Sequence, residues 1–209
     1  GLKNLTGYQD NVLLNLTTAG LIIFGGLGFL VIMDLIKNRS FKKLCLHSKA
    51  VIVTTLILLA SGTVLIWLTE DITWLGAFFT SVSARTAGFS TFPLGSFSGA
   101  GLLTVIVLMV IGASPGSTGG GIKTTTCYVL FEGIRSSATN TSEKAFRYAV
   151  PADAFRKAAV ITLLALGIVL TGTYILVILE PGVPFLDALF EMSSAFGTAG
   201  LSTGISAGL

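Results

Sequence analysis

Four stretches of this 209-residue chain, residues 12–36, 50–68, 99 to about 131 and 156–179, are apolar over long lengths. Crossing a hydrocarbon core about 30 Å thick takes about 20 helical residues, and these runs match that length. A chain of 209 residues could form one soluble domain, but blocks of this length favour a single membrane domain. The rest of the composition agrees: 11% of residues are charged and the mean hydropathy is +0.86, whereas soluble domains average about 25% charged. The sequence therefore predicts an all-α integral membrane protein. The first run follows the polar GLKNLTGYQD and has no small-residue cleavage pattern, so it is expected to stay as a span.

The charges orient these spans. Lys37, Arg39, Lys42, Lys43 and Lys49 fill the first connection, and Lys123, Arg135, Lys144, Arg147, Arg156 and Lys157 the second. Eleven of the thirteen basic residues thus lie in two connections, which the positive-inside rule assigns to the cytoplasm. Glu70, Asp71, Glu180 and Asp187 then face outward. Cys45 and Cys127 are expected on the cytosolic side, where thiols stay reduced, so no disulfide is predicted. His47, with no second imidazole or carboxylate beside it, reads as a solvated loop residue rather than a metal ligand.

Two successive cytosolic connections require the chain to pass from the second span to the third without crossing. The intervening WLGAFFTSVSARTAGFSTFPLGSFS is half apolar and half rich in Gly, Ser and Thr, too short and too polar to span. It reads as a re-entrant loop, tolerated at membrane depth where it is buried in protein or lines a watery cavity. EPGVPFLDALFEMSSAFGTAGLSTG, after the fourth span, reads the same way. Aligned at a spacing of 112 residues, SARTAGFST (83–91) matches AFGTAGLST (195–203), and Phe78 matches Phe190. The repeating unit is span, pore helix, extended loop, span.

A short inward helix followed by an extended T-A-G-[FL] turn suits a cation. Carbonyl oxygens can replace an ion's water shell, and a helix C-terminus adds about half a negative charge nearby. Glycine permits the backbone angles that turn successive carbonyls toward one axis. Neither turn contains a carboxylate, which favours a large monovalent ion over calcium or magnesium. The predicted ion-binding positions are Thr86, Ala87, Gly88 and Phe89 in the first loop and Thr198, Ala199, Gly200 and Leu201 in the second. The alternative is a packing turn, since glycines in membrane segments commonly serve helix contact. GGLGF at 25–29 is read in that way, as a site of close helix packing.

The segments RTAGFST and GTAGLST, with GASPGSTGGGIKTTT (112–126) between them, resemble the pore subunits of the Ktr/Trk/HKT superfamily of potassium transporters, the bacterial Ktr type above all. The resemblance implies a potassium-channel-like pore of four span–pore-loop–span units. On that pattern residues 1–49 are the last span of an upstream unit with its basic connection, 50–132 a complete unit with a broken second span, and 133–209 the connection, span and pore loop of the next. The chain then reads as part of a longer subunit. The resemblance also implies a homodimer in membrane lipid, regulated by a cytosolic nucleotide-binding ring for which the connection from Gly133 to Lys157 is a plausible docking surface. ATP would bind that partner, and no catalysis or bound cofactor is implied beyond potassium as the transported ion.

In such proteins the Gly/Ser/Thr-rich segment of the third unit crosses the pore below the filter as a gate. The matching residues are Gly112, Ser114, Pro115, Gly116, Ser117, Thr118, Gly119, Gly120, Gly121 and Lys123. Glycines lower the cost of unwinding, Pro115 removes a donor, and the hydroxyls can satisfy freed backbone groups. A nucleotide-binding loop is the disfavoured alternative, because Ile122 separates Gly121 from Lys123 and the preceding Val105–Ile111 belongs to a long apolar segment and not to a short strand. A cytosolic linker would end the third span at Ile111, short for a crossing. Lys123 reads equally as a charge at the cytosolic mouth or a positive-inside anchor. Arg85, costly at this depth unless paired, is expected to brace the filter backbone with Glu191 as partner, the alternative being exposure at the outer vestibule. The rival function is a coupled carrier for a small organic solute built on broken helices, for which the spans supply no paired charges or aromatic cluster.

Overall fold

The computed structural model describes residues 4–139, 144–145, 148–149 and 152–205. Arg147 and part of the second basic connection lie outside the described residues. Among those described the fold is helical, apart from a two-residue antiparallel ladder pairing Lys144 with Ala149 and Ala145 with Tyr148.

Helices α3 (Leu46–Thr69) and α7 (Ala152–Leu179) are long and apolar enough to span. Between α3 and the next apolar segment lies α4 (Trp74–Ser83), a ten-residue helix started by the Thr73 hydroxyl, which accepts from Gly76 N at 3.2 Å. Its counterpart α8 (Phe185–Gly197) follows α7. Both are too short to cross. Each is held by a neighbouring longer helix: α4 packs mainly on α3, where the Ser81 hydroxyl donates to Leu59 O at 3.2 Å, and α8 packs on α7 and on α5 (Gly99–Val110). One buried cluster joins Ile66, Ala77, Met109, Phe190, Ala199 and Leu201, so the repeated loops share a single core.

The third apolar segment is discontinuous. Helix α5 ends at Val110, and thirteen residues, 111–123, separate it from α6 (Thr124–Thr139). Glu70, at the end of α3, fixes the start of α5 by accepting from Ser98 N at 3.0 Å and from the Ser98 hydroxyl at 2.6 Å.

The first apolar segment departs from expectation. Instead of one span over 12–36 it forms α1 (Val12–Leu27) and α2 (Phe29–Asn38), bent by 95° at Gly28. Gly28 has φ +81 and ψ 150, a region open essentially to glycine alone. The close-packing reading of GGLGF is corrected at two of its glycines: a Cβ on Gly25 or Gly26 would meet nothing within 4 Å, and only one on Gly28 would be crowded, 2.8 Å from Pro115 O. His47 also belongs to the first turn of α3 and is half-buried, not a solvated loop residue.

Candidate functional site

The two T-A-G loops carry the same backbone signature. φ is positive at alternate residues in both, +74 at Thr86 and +80 at Gly88, and +52 at Thr198 and +74 at Gly200. In a uniformly extended chain successive carbonyls point to opposite sides, and left-handed residues at alternate positions turn them toward a common side. The loop starts are hydrogen-bonded similarly but not identically: Ala87 N donates to Ser83 O, four residues back, at 3.1 Å, and Ala199 N to Ser194 O, five residues back, at 2.9 Å.

The loops meet. A Cβ on Gly88 would lie 2.4 Å from Ala199 O, and one on Gly200 would lie 3.9 Å from Gly88 Cα. Their surroundings differ. Leu201 is buried in the shared core, whereas Phe89 is 42% exposed and helps to line a cavity of about 480 Å³ between the first loop and α1. Two carbonyls of the first loop are already engaged, Gly88 O by Asn4 Nδ2 at 3.0 Å and Phe89 O by the Ser83 hydroxyl. Among the described hydrogen bonds none reaches Thr86 O or Ala87 O.

Residues 111–123 fold into a compact loop directly against the starts of both T-A-G turns. Ile122 N donates to Val110 O at 2.8 Å and Thr124 N to Ala113 O at 3.4 Å, so the ends of the break lie side by side. A Cβ on Gly119 would sit 2.1 Å from the Thr86 hydroxyl, and Gly120 N donates to the Thr198 hydroxyl at 2.9 Å. Glycine is required here because the loop backbone touches side chains that a Cβ would displace. Lys123 Nζ turns back to Gly119 O, closing the loop on itself.

The structure does not pair Arg85 with Glu191. Arg85 is 7% exposed and its Nη2 donates to Gly112 O at 3.3 Å, which ties the first T-A-G turn to the glycine-rich loop rather than to the other turn. Its Nε has no partner among the described residues. Glu191 braces its own loop, accepting from the Ser202 hydroxyl at 2.6 Å and from Thr203 N at 3.0 Å. The reason is local geometry: the T-A-G turn brings Ser202 and Thr203 back within hydrogen-bond reach of Glu191 on α8. Sequence reasoning also missed Ser83, Asn4 and the Gly28 break. For the last, the cluster of glycines was the available signal.

Comparison with known proteins follows this geometry. The TrkH family model, described as a cation transport protein, matches residues 3–209. The chain is 38% identical over 99% of its length to the Ktr system potassium uptake protein B of Vibrio alginolyticus, covering 48% of that protein. It is 34% identical over 97% of its length to the potassium/sodium uptake protein NtpJ of Enterococcus hirae, again covering 48%. The chain thus spans about half the length of these relatives. The crystal structure of the potassium transporter TrkH from Vibrio parahaemolyticus superposes with a TM-score of 0.71 over 95% of this chain and 47% of that one, at 18% identity, which shows a shared fold. With the family model covering almost every residue, and with paired re-entrant loops on a common core, this chain belongs to the TrkH family of cation transport proteins.

Proposed function

We propose that the chain forms part of the pore of a potassium uptake system, in which main-chain oxygens strip water from the ion and the glycine-rich loop obstructs the path below. The observation that carries this reading is the meeting of two repeat-related loops, with alternate positive φ values, at Gly88 and Ala199. Carbonyls do the work. In the first loop Thr86 O and Ala87 O are the available ligands, with Gly88 O and Phe89 O held by protein donors. In the second loop Thr198, Ala199, Gly200 and Leu201 supply the equivalent oxygens. Desolvation by neutral dipoles suits a weakly hydrated monovalent cation, because no carboxylate lies in either turn. The relatives named for potassium uptake, and one for potassium and sodium, support the same ion class.

Below the turns, residues 112–123 touch Thr86 and Thr198 and fill the space an ion would next enter. Permeation then requires this loop to move. The wider assembly we infer is a homodimer of longer subunits with a cytosolic nucleotide-binding ring docked on the second basic connection, from Gly133 to Lys157. Rubidium uptake by proteoliposomes holding the native-length subunit tests the pore: uptake blocked by excess potassium is expected. A protein that accumulates no rubidium, or moves it equally with Gly88 replaced by Val, would end the proposal.

A further inference from the structure

We propose that the break at Gly28 is the latch that positions the glycine-rich loop under the filter turns, and that α2 links this latch to the cytosolic connection. The inference rests on the pore reading above and concerns what holds its obstruction in place. In a continuous helix Gly26 O would accept from Leu30 N, and Phe29 N would donate to Gly25 O. The 95° bend removes these partners at membrane depth, where unpaired backbone groups are expensive.

The glycine-rich loop supplies replacements. Ser114 donates twice to Gly26 O, from its backbone N at 3.2 Å and from its hydroxyl, and Phe29 N donates to Gly116 O at 3.2 Å. Each broken helix therefore completes the other. The fit is close: a Cβ on Gly28 would lie 2.8 Å from Pro115 O and 3.2 Å from Ser117 N, and Ser114 is fully buried. A glycine with positive φ stands on both sides of the contact, Gly28 and Gly116.

The far end of α2 is anchored elsewhere. Asp34 accepts from Cys45 N at 3.0 Å and from Asn38 Nδ2 at 2.6 Å, which fastens the helix to the first basic connection. A ten-residue helix is a rod about 15 Å long. The loop's other anchors, Arg85 on Gly112 O and Thr198 on Gly120 N, belong to the filter turns and do not travel with α2. Displacing α2 therefore withdraws Phe29 N, the donor to Gly116 O, and opens the bend at which Gly26 O, in the last turn of α1, holds Ser114, while the filter stays in place. Gly26 and Gly28 are positioning residues for the gate.

The test uses the native-length subunit in proteoliposomes, with Cys45→Ser and Cys127→Ser as background. A Cβ on Gly116 would be 3.8 Å from Leu30 Cγ, so the pair Leu30→Cys and Gly116→Cys can be cross-linked. Oxidation is expected to lower rubidium uptake at least about tenfold and reductant to restore it, with Leu30→Cys alone insensitive to oxidant. Ser114→Ala, which removes one hydrogen bond, should raise resting uptake about fivefold with the potassium-over-sodium preference unchanged. Gly28→Ala should act in the same direction and further. Cross-linked protein as active as its reduced form, or Ser114→Ala indistinguishable from the parent, overturns the latch. Absence of uptake in the parent itself would instead sink the pore reading on which the latch stands.

Discussion

At the scale of single residues, equivalent positions in a repeat need not be equally sensitive. Gly88 and Gly200 share positive φ, so any side chain strains either turn by about 1–2 kcal/mol. Only Gly88 is also crowded, its Cβ site lying 2.4 Å from Ala199 O, against 3.9 Å to Gly88 Cα for Gly200. Gly88→Ala is therefore expected to abolish rubidium uptake, and Gly200→Ala to reduce it while lowering the preference for potassium over sodium. Equal effects would mean the loops do not approach as described. Glu191 offers a second contrast. Its carboxylate holds two donors of its own loop, and hydrogen bonds to a charged acceptor contribute about 1.5–3 kcal/mol each. Glu191→Ala should cost about 2–3 kcal/mol in thermal unfolding in detergent. Glu191→Gln keeps an acceptor and should lose about half of that.

At the scale of elements, what could be read from sequence depended on whether the signal was local. The pore helices and the T-A-G turns were legible because duplication makes their pattern visible along the chain, and the all-helical fold followed from run length. The bend in the first span was not legible, because three glycines within an apolar run serve packing or breakage equally well until a partner is known. Here the partner is Ser114, 88 residues away. Arg85 was misassigned for the same reason: its bond to Gly112 O depends on how α5 ends, not on residues beside it. That bond yields a prediction for the loop as an element. Among the described residues Arg85 is buried with a single hydrogen bond and no carboxylate partner, so its charge is a poor source of stability. Arg85→Met should change thermal stability by no more than about 1 kcal/mol, while speeding hydrogen exchange across residues 112–123 and raising resting uptake. A large loss of stability with unchanged loop exchange would make Arg85 a scaffold residue and nothing more.

At the scale of the whole molecule, the exposed surfaces indicate how much of a pore these residues build. Only 17% of the apolar window of α7 is buried inside the chain, against 39% for α3, and the cavity beside Thr86 and Phe89 is walled on one side by α1. The two T-A-G turns approach each other at Gly88 and Ala199, and on the pore reading dehydrating an ion requires oxygens on all sides to replace its water shell. On the pore reading proposed above, the remaining ligands come from segments outside residues 1–209, which span about half the length of the relatives. Residues 1–209 reconstituted by themselves should therefore take up no rubidium above protein-free vesicles, and uptake should appear when they are joined to segments supplying two more such turns. The comparison is informative in both directions. Selective uptake by residues 1–209 alone would require them to self-associate into a ring, which concentration-dependent flux and the mass of the detergent-solubilised particle would reveal, and the pore would then be built from copies of this chain rather than from one longer subunit.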